Sequence, residues 1–362
     1  AARLALNAFK QYTDKEGSPH DPQIYAALHA SFERYKPLIR KQLNTQVYAF
    51  DYDPAEDKGN AINISGKLYQ FFVFGDGAQF EAKATSNTLD NRFIGHGIEH
   101  RTVFASSIDH DLLVYKGLGF YLARQLPGHP AAISAAIEVP KTEEIWSGDI
   151  AGHVIIWPKV DDSGTHWVFS KKFEGGVNAM VINAAGTKIA VASRNFITLI
   201  DPQDAKVSKQ IRLQGNPTAM AFSNKGEILA FGLESGRIGY YDLKSGMVDT
   251  LRVHAGRVSD ICFSPDNQLV ASCSYDQTIR LWRINQLDQP PIVLRGHSSW
   301  VVGLGFRQDS KFLYSVSRDK TMRYWYTDAH DLVADLDDFV DRIEFDDQEI
   351  KQYFQEKGIK RK

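Results

Sequence analysis

The chain has 362 residues, with 42 Lys and Arg against 44 Asp and Glu and a formal net charge of −2. That balance argues against a general nucleic-acid binder, whose footprint is a basic face. Hydrophobic residues make up 43%, an ordinary globular share, and no apolar run is long enough to span a membrane. Two cysteines, Cys262 and Cys273, are expected to be reduced, buried thiols rather than a secreted disulfide scaffold.

The chain starts Ala1-Ala2-Arg3-Leu4, with no initiator Met and no signal-peptide pattern, which suggests a piece of a longer cytoplasmic protein. Residues 3–11 and 21–35 read as helices. Asp21-Pro22 gives the second an N-cap and an N1 proline, and Ile24, Ala27, Leu28, Ser31 and Phe32 follow the spacing of one buried face. Gly17 to His20 reads as a linker and 37–43 as an isolated strand, making 1–36 a helical lead-in.

From 46 to 328 a period takes over. Phe74, Tyr115, Trp157, Ile200, Tyr241, Trp282 and Trp325 recur at intervals of 41 to 43, each closing a short apolar run. A period of about 40–45 residues in Gly-rich, β-branched sequence predicts a β-propeller, one four-stranded blade per period. Unit six is the clearest: strands over 258–263, 269–273, 278–282 and 291–294, with Pro290 and Pro291 at the start of the last. Proline is tolerated at a sheet edge, so that strand should be outermost. The fold class expected is therefore all-β, a seven-bladed propeller over 37–328. Residues 37–43 would supply the fourth strand of the last blade, with 331–336 as the alternative donor. From 329 an acidic tail carries a helical stripe of Leu332, Leu336, Phe339, Val340 and Ile343, then a second helical segment at 347–357 and a basic end.

Three units share a tighter pattern. His129, His254 and His297 each stand 28 residues before Trp157, Trp282 and Trp325, and Ser147, Ser272 and Ser315 stand ten before them. Asp276 and Asp319 fall six before theirs, as Asp109 does before Tyr115, whereas unit three has Ala151 at that place and unit five has Ser235. The chain thus resembles the WD40 repeat family. The resemblance implies hydrogen-bonded sets His254–Ser272–Asp276–Trp282 and His297–Ser315–Asp319–Trp325, with His129, Ser147 and Trp157 in unit three. Buried imidazole, hydroxyl, carboxylate and indole groups must find partners in any case, so these residues are read as structural and not as a hydrolase triad. The match is strong in units three, six and seven and weak in one and four. The helical lead-in also looks like that preceding C-terminal WD40 domains of large bacterial multidomain proteins, many of them STAND-type signalling NTPases.

Other motifs are discounted. His96-Gly97-Ile98-Glu99-His100 spells a zinc-protease pattern, but in a strand residues four apart are about 13 Å apart, too far for one ion. Gly75-Asp76-Gly77 and Gly117-Leu118-Gly119 lack the lysine of a phosphate loop. Asp51, Asp53, Glu56 and Asp57 lack calcium-loop alternation and read as a surface turn. No catalytic residue, cofactor or metal is expected.

In the resembled family, partners dock near the channel mouth on the narrow end. Trp300, Arg318, Tyr275, Arg257, Ile150 and Ser299 fall there, with Trp146 and Arg194 as further candidates; Trp, Tyr and Arg dominate interface energetics. The function expected is a non-enzymatic protein-interaction or ligand-sensing propeller of a larger bacterial protein. Its partner would be a protein or peptide, possibly another module of the same chain, with no nucleic acid or membrane. The alternatives are an enzyme with a central-channel site and an architectural cap on a neighbouring module.

Overall fold

In the structure, a computed structural model, residues 2–14, 21–35, 40–74, 77–81, 89–97, 102–116, 121–140, 142–158, 167–168, 172–287 and 289–335 are described. They form seven four-stranded antiparallel sheets. Blade one comprises β2 (Val47–Asp53), β3 (Lys58–Asn63), β4 (Leu68–Phe74) and β5 (Gly77–Glu81). Blades two to six repeat this order through β6–β9 (within 89–126, β6 being Leu89–His96), β10–β13 (within 133–168), β14–β17 (within 179–212), β18–β21 (within 217–252) and β22–β25 (within 258–294). Blade seven takes β26 (Val301–Phe306), β27 (Phe312–Ser317) and β28 (Thr321–Tyr326) from the C-terminal end, and its outer strand is β1, Arg40–Gln42. Lys41 pairs with Met322, so the chain ends are interlocked in one sheet and the last blade presents no bare third strand.

Seven apolar clusters follow one another around the ring, one per blade–blade wedge. Ala49, Ile62 and Leu68 meet Val103 and Leu113 between blades one and two; Phe104 and Leu112 meet Ile145 and Trp157 between two and three. The circuit closes where Phe50 and Tyr52 of blade one pack on Tyr314, Val316 and Met322 of blade seven. Gly303 and Gly305 allow that approach. A Cβ on Gly303 would lie 2.7 Å from the Phe50 ring, inside normal contact.

The lead-in helices seal the wedge between blades six and seven. Leu6 and Phe9 of α1 (Ala2–Thr13), with Tyr25 and Leu28 of α2 (Pro22–Tyr35), join Leu281, Leu313 and Trp325 in one buried cluster. Asp21 caps α2, its Oδ1 accepting from the Gln23 amide at 2.9 Å and the Ile24 amide at 3.2 Å. The buried face differs from the sequence expectation: Leu28 is buried and Ile24 partly so, but Ala27 is exposed and Tyr25 and His29 turn inward instead. They do so because Trp325 and the Tyr326 carbonyl lie beneath, the first packed on the His29 ring at 4.8 Å and the second accepting from the Tyr25 hydroxyl. A helix over 329–335 adds Ala329, Leu332 and Val333 to the same cluster. The remainder of the acidic tail, including Leu336 and the segment 347–357, lies outside the described residues.

Candidate functional site: a ring of hydrogen-bonded blades and one aromatic–guanidinium end

In blade seven His297 Nδ1 lies 2.9 Å from Asp319 and Nε2 lies 2.8 Å from Ser315 Oγ, which accepts from the Trp325 indole N–H at 2.8 Å. The ionised carboxylate can only accept, so Nδ1 carries the proton, Nε2 accepts from the serine hydroxyl, and that hydroxyl accepts from the indole. The imidazole is buried, 6% exposed. Burial alone would raise the Asp319 carboxyl. Hydrogen bonds from His297, Thr321 and the Ser298 amide instead hold it well below the usual carboxylate range. Asp276 in blade six is lowered by the corresponding groups, His254, Thr278 and the Ala255 amide.

Blade six departs from this pattern at one point. His254 bonds Asp276 and Ser272 at 2.9 Å each, but the Trp282 indole N–H has no hydrogen-bond partner. The set expected from sequence is therefore three-membered there. The indole lies instead in an apolar crevice between blades five and six with Ile261, Phe263 and Leu287.

Blade three holds a residue that the spacing argument missed. Ser147 Oγ lies 2.7 Å from His129 Nε2 and accepts from Trp157 at 2.8 Å, and the carboxylate is Asp149, 3.1 Å from His129 Nδ1. Asp149 stands eight residues before Trp157, where blades six and seven have Ser274 and Ser317, whose hydroxyls accept from the amides of Asp276 and Asp319. Asp149 does both jobs: one oxygen takes the amides of Ala151 and His153, the other faces the imidazole. The signal was present as an Asp at the turn-capping position of a blade lacking one two residues later.

A channel of about 730 Å³ runs along the axis, lined by the first strand of every blade. Several of these strands carry a bulge against their neighbours, and the bulged residues Ser134, Thr218 and Ser259 donate their hydroxyls to Val177, Val258 and Val301 carbonyls of the next blade at 2.5–2.6 Å. Asp260 also lines the channel. Burial, opposed by the amides of Leu304 and Ile261 and reinforced by Asp51, raises its carboxyl to about 7. Among the described residues no three His, Cys, Asp or Glu side chains converge as a metal would require.

Of the discounted motifs, Asp53 caps the turn amides of Ala55 and Glu56, and Asp57 bonds the Tyr52 hydroxyl. His96 ends β6, whereas residues 98–100 lie outside the described residues, as do Gly75-Asp76 and 117–119. Cys262 and Cys273 are free, with burial raising both thiols.

One end of the ring is defined by a repeated contact. The first residue after the second strand donates its amide to the carbonyl just before the first strand: Ile64 to Gln46, Ile150 to Ala132, Glu234 to Asn216, Tyr275 to Arg257 and Arg318 to Trp300, at 2.9–3.1 Å. In these five blades both loops therefore meet at that end. Trp300 is 39% exposed there. Tyr275 stacks on it at 4.1 Å and 5°. The Arg318 guanidinium lies 4.4 Å from the Trp300 ring and 3.8 Å from the Tyr48 ring, and Arg257 lies 5.9 Å from Tyr275. Tyr48, Arg318, Trp300, Tyr275 and Arg257 thus form one continuous row across blades one, seven and six, with Tyr48, Tyr275 and Arg257 at the channel wall.

Ile150 is exposed at this end of blade three, and Ser299 accepts a bond from Ser317 through its carbonyl. Arg194 is exposed and paired with Glu174 at 3.0 Å. Trp146 does not belong with them. It is fully buried between blades three and four, because a second strand is covered on both faces by neighbouring blades.

The sequence profile of the WD domain, G-beta repeat, matches residues 246–283 and 288–326, the segments of blades six and seven. The chain is 27% identical over 181 residues to periodic tryptophan protein 2 homolog of Dictyostelium discoideum, covering 45% of this chain and 18% of that protein. It is 37% identical over 114 residues to an uncharacterized WD repeat-containing protein of Synechocystis, 30% of this chain and 32% of the relative. Serine-threonine kinase receptor-associated protein of Rattus norvegicus is 26% identical over 161 residues, 44% and 45% of the two chains. The chain spans less than half the length of these relatives. The chain therefore carries WD40 repeats, set in a closed propeller of seven blades.

Proposed function

We propose that this is a non-catalytic interaction propeller that binds a protein or peptide on the end carrying Trp300. The observation that supports this reading is the row Tyr48–Arg318–Trp300–Tyr275–Arg257, a partly exposed run of the residue types that dominate interface energetics. The histidines of the repeated sets are committed to structure: His129, His254 and His297 are enclosed and bonded on both ring nitrogens. One relative is named for association with a receptor kinase, which favours the same reading. The resemblance of 1–36 to the lead-in of C-terminal WD40 domains supports a division into lead-in, propeller over 37–328 and acidic tail over 329–362, within a longer bacterial signalling protein of the cytoplasm. The test is recovery of partners from lysate by the wild-type chain and by Trp300→Ala. A protein retained by the first and lost by the second, with the variant's circular dichroism unchanged, supports the proposal. Recovery that ignores Trp300 contradicts it.

A further inference from the structure

The chemistry around the Trp300 end specifies its partner further, and this inference rests on the reading above. The first residue after the second strand occupies an equivalent place in every blade, and around the ring it runs Ile64, Ile108, Ile150, Arg194, Glu234, Tyr275, Arg318. The ring of these positions is divided. In blades one to three the isoleucines are 53%, 59% and 48% exposed, in places where a soluble turn would ordinarily carry polar residues. In blades four and five the charges already have partners: Arg194 pairs with Glu174, and Glu234 accepts from the Asn216 amide.

In blades six and seven the charges have none among the described residues. Arg257 and Arg318 form no ion pair with any described carboxylate, and each has a buried Nε–H without an acceptor. Aromatic stacking fixes the Arg318 guanidinium between Tyr48 and Trp300, leaving its in-plane N–H donors directed away from the rings. A guanidinium held in place before binding loses little freedom when a carboxylate arrives, and Arg–carboxylate bonds are among the stronger ones. The two halves lie side by side around the ring, since blade one, which carries Ile64 and Tyr48, adjoins blade seven, which carries Arg318 and Trp300.

We infer that this end binds an acidic peptide segment whose Asp or Glu side chains meet Arg257 and Arg318 and whose aliphatic side chains cover Ile64 and Ile108. A nucleic acid would satisfy the guanidiniums but offers nothing aliphatic to the isoleucine arc, and the chain's net charge of −2 supplies no general attraction for it.

The experiment is selection of a displayed random 12-residue peptide library on the whole chain, followed by affinity measurement of the selected peptides as synthetic probes. The expected peptides pair acidic with aliphatic residues. Their affinity falls about tenfold for Arg318→Ala and for Arg257→Ala, falls for Ile64→Ser with Ile108→Ser, and weakens as salt rises. Ile64 and Ile108 are exposed and the two arginines half-buried, and circular dichroism confirms that each variant folds. Peptides that are neutral or basic yet lost with Trp300→Ala overturn this inference and leave the proposed function standing. Acidic peptides indifferent to both arginines overturn it as well. Failure to select any peptide on this face overturns both.

Discussion

Ser315→Ala should cost more than Ser272→Ala, although the two serines occupy the same place in adjacent blades. Ser315 Oγ stands between two buried groups and bonds both, His297 Nε2 at 2.8 Å and Trp325 Nε1 at 2.8 Å. Removing one oxygen leaves an imidazole acceptor and an indole donor unsatisfied in the core. A buried polar group left without its partner costs about 1–3 kcal/mol, so the pair should cost about 2–6 kcal/mol. In blade six only His254 depends on Ser272, because the Trp282 indole already lacks a partner. The loss there should be about 1–3 kcal/mol. The cavity left by a hydroxyl is the same in both, so it cancels in the comparison. Urea unfolding of the full chain, followed by circular dichroism, measures both variants against wild type. Equal destabilisation, or a larger effect at Ser272, would refute the argument that the indole is linked in one blade and not in the other.

Three further outcomes follow from named contacts. Asp149→Ser keeps the turn cap but removes the imidazole's partner, so it should destabilise by about 1–3 kcal/mol; adding Ala151→Asp restores the arrangement of blades six and seven and should recover much of that loss in the same unfolding assay. Burial, with Arg323 secondary, holds the His29 imidazole down to about 3 in the folded chain. The unfolded chain takes up that proton first, near pH 6.5, so stability is full above that pH and declines as pH falls toward 3. Between pH 7.5 and 5 the part due to His29 amounts to about 2 kcal/mol, and the stability difference between wild type and His29→Leu should shift by that amount; a constant difference would contradict the assignment. Gly303→Ala drives a methyl against the Phe50 ring and should cost about 1–3 kcal/mol, with faster amide exchange in β2 and β26 as the local readout.

The number of blades and their strand order were legible because a ring of equal sheets imposes an equal period, and Trp157, Trp282 and Trp325 mark it with large side chains. The repeated His, Ser and Trp spacing was legible for the same reason. Asp149 is hidden in the sequence because a carboxylate can reach the imidazole from either of two positions in one turn, and it stands two residues before the place held by Ala151. The unpartnered Trp282 depends on how an indole settles between blades five and six, which side-chain spacing along one strand does not determine. The burial of Trp146 is not legible in the sequence, because a second strand of a blade is covered on both faces and alternation along it says little about exposure. The isoleucine arc is not visible in strand spacing, because only alignment of the seven turns by structure puts Ile64 and Ile108 in the company of Ile150.

The account depends most on the Trp300 end being where partners bind. Site-specific photo-crosslinking in living cells tests this directly, with a benzophenone amino acid replacing Tyr275 or Ile108 on that end and Val207 or Met247 elsewhere on the surface, all partly or fully exposed. Crosslinks to another polypeptide are expected from Tyr275 and Ile108 and none from Val207 or Met247. Crosslinks from Val207 or Met247 with none from the Trp300 end would contradict it.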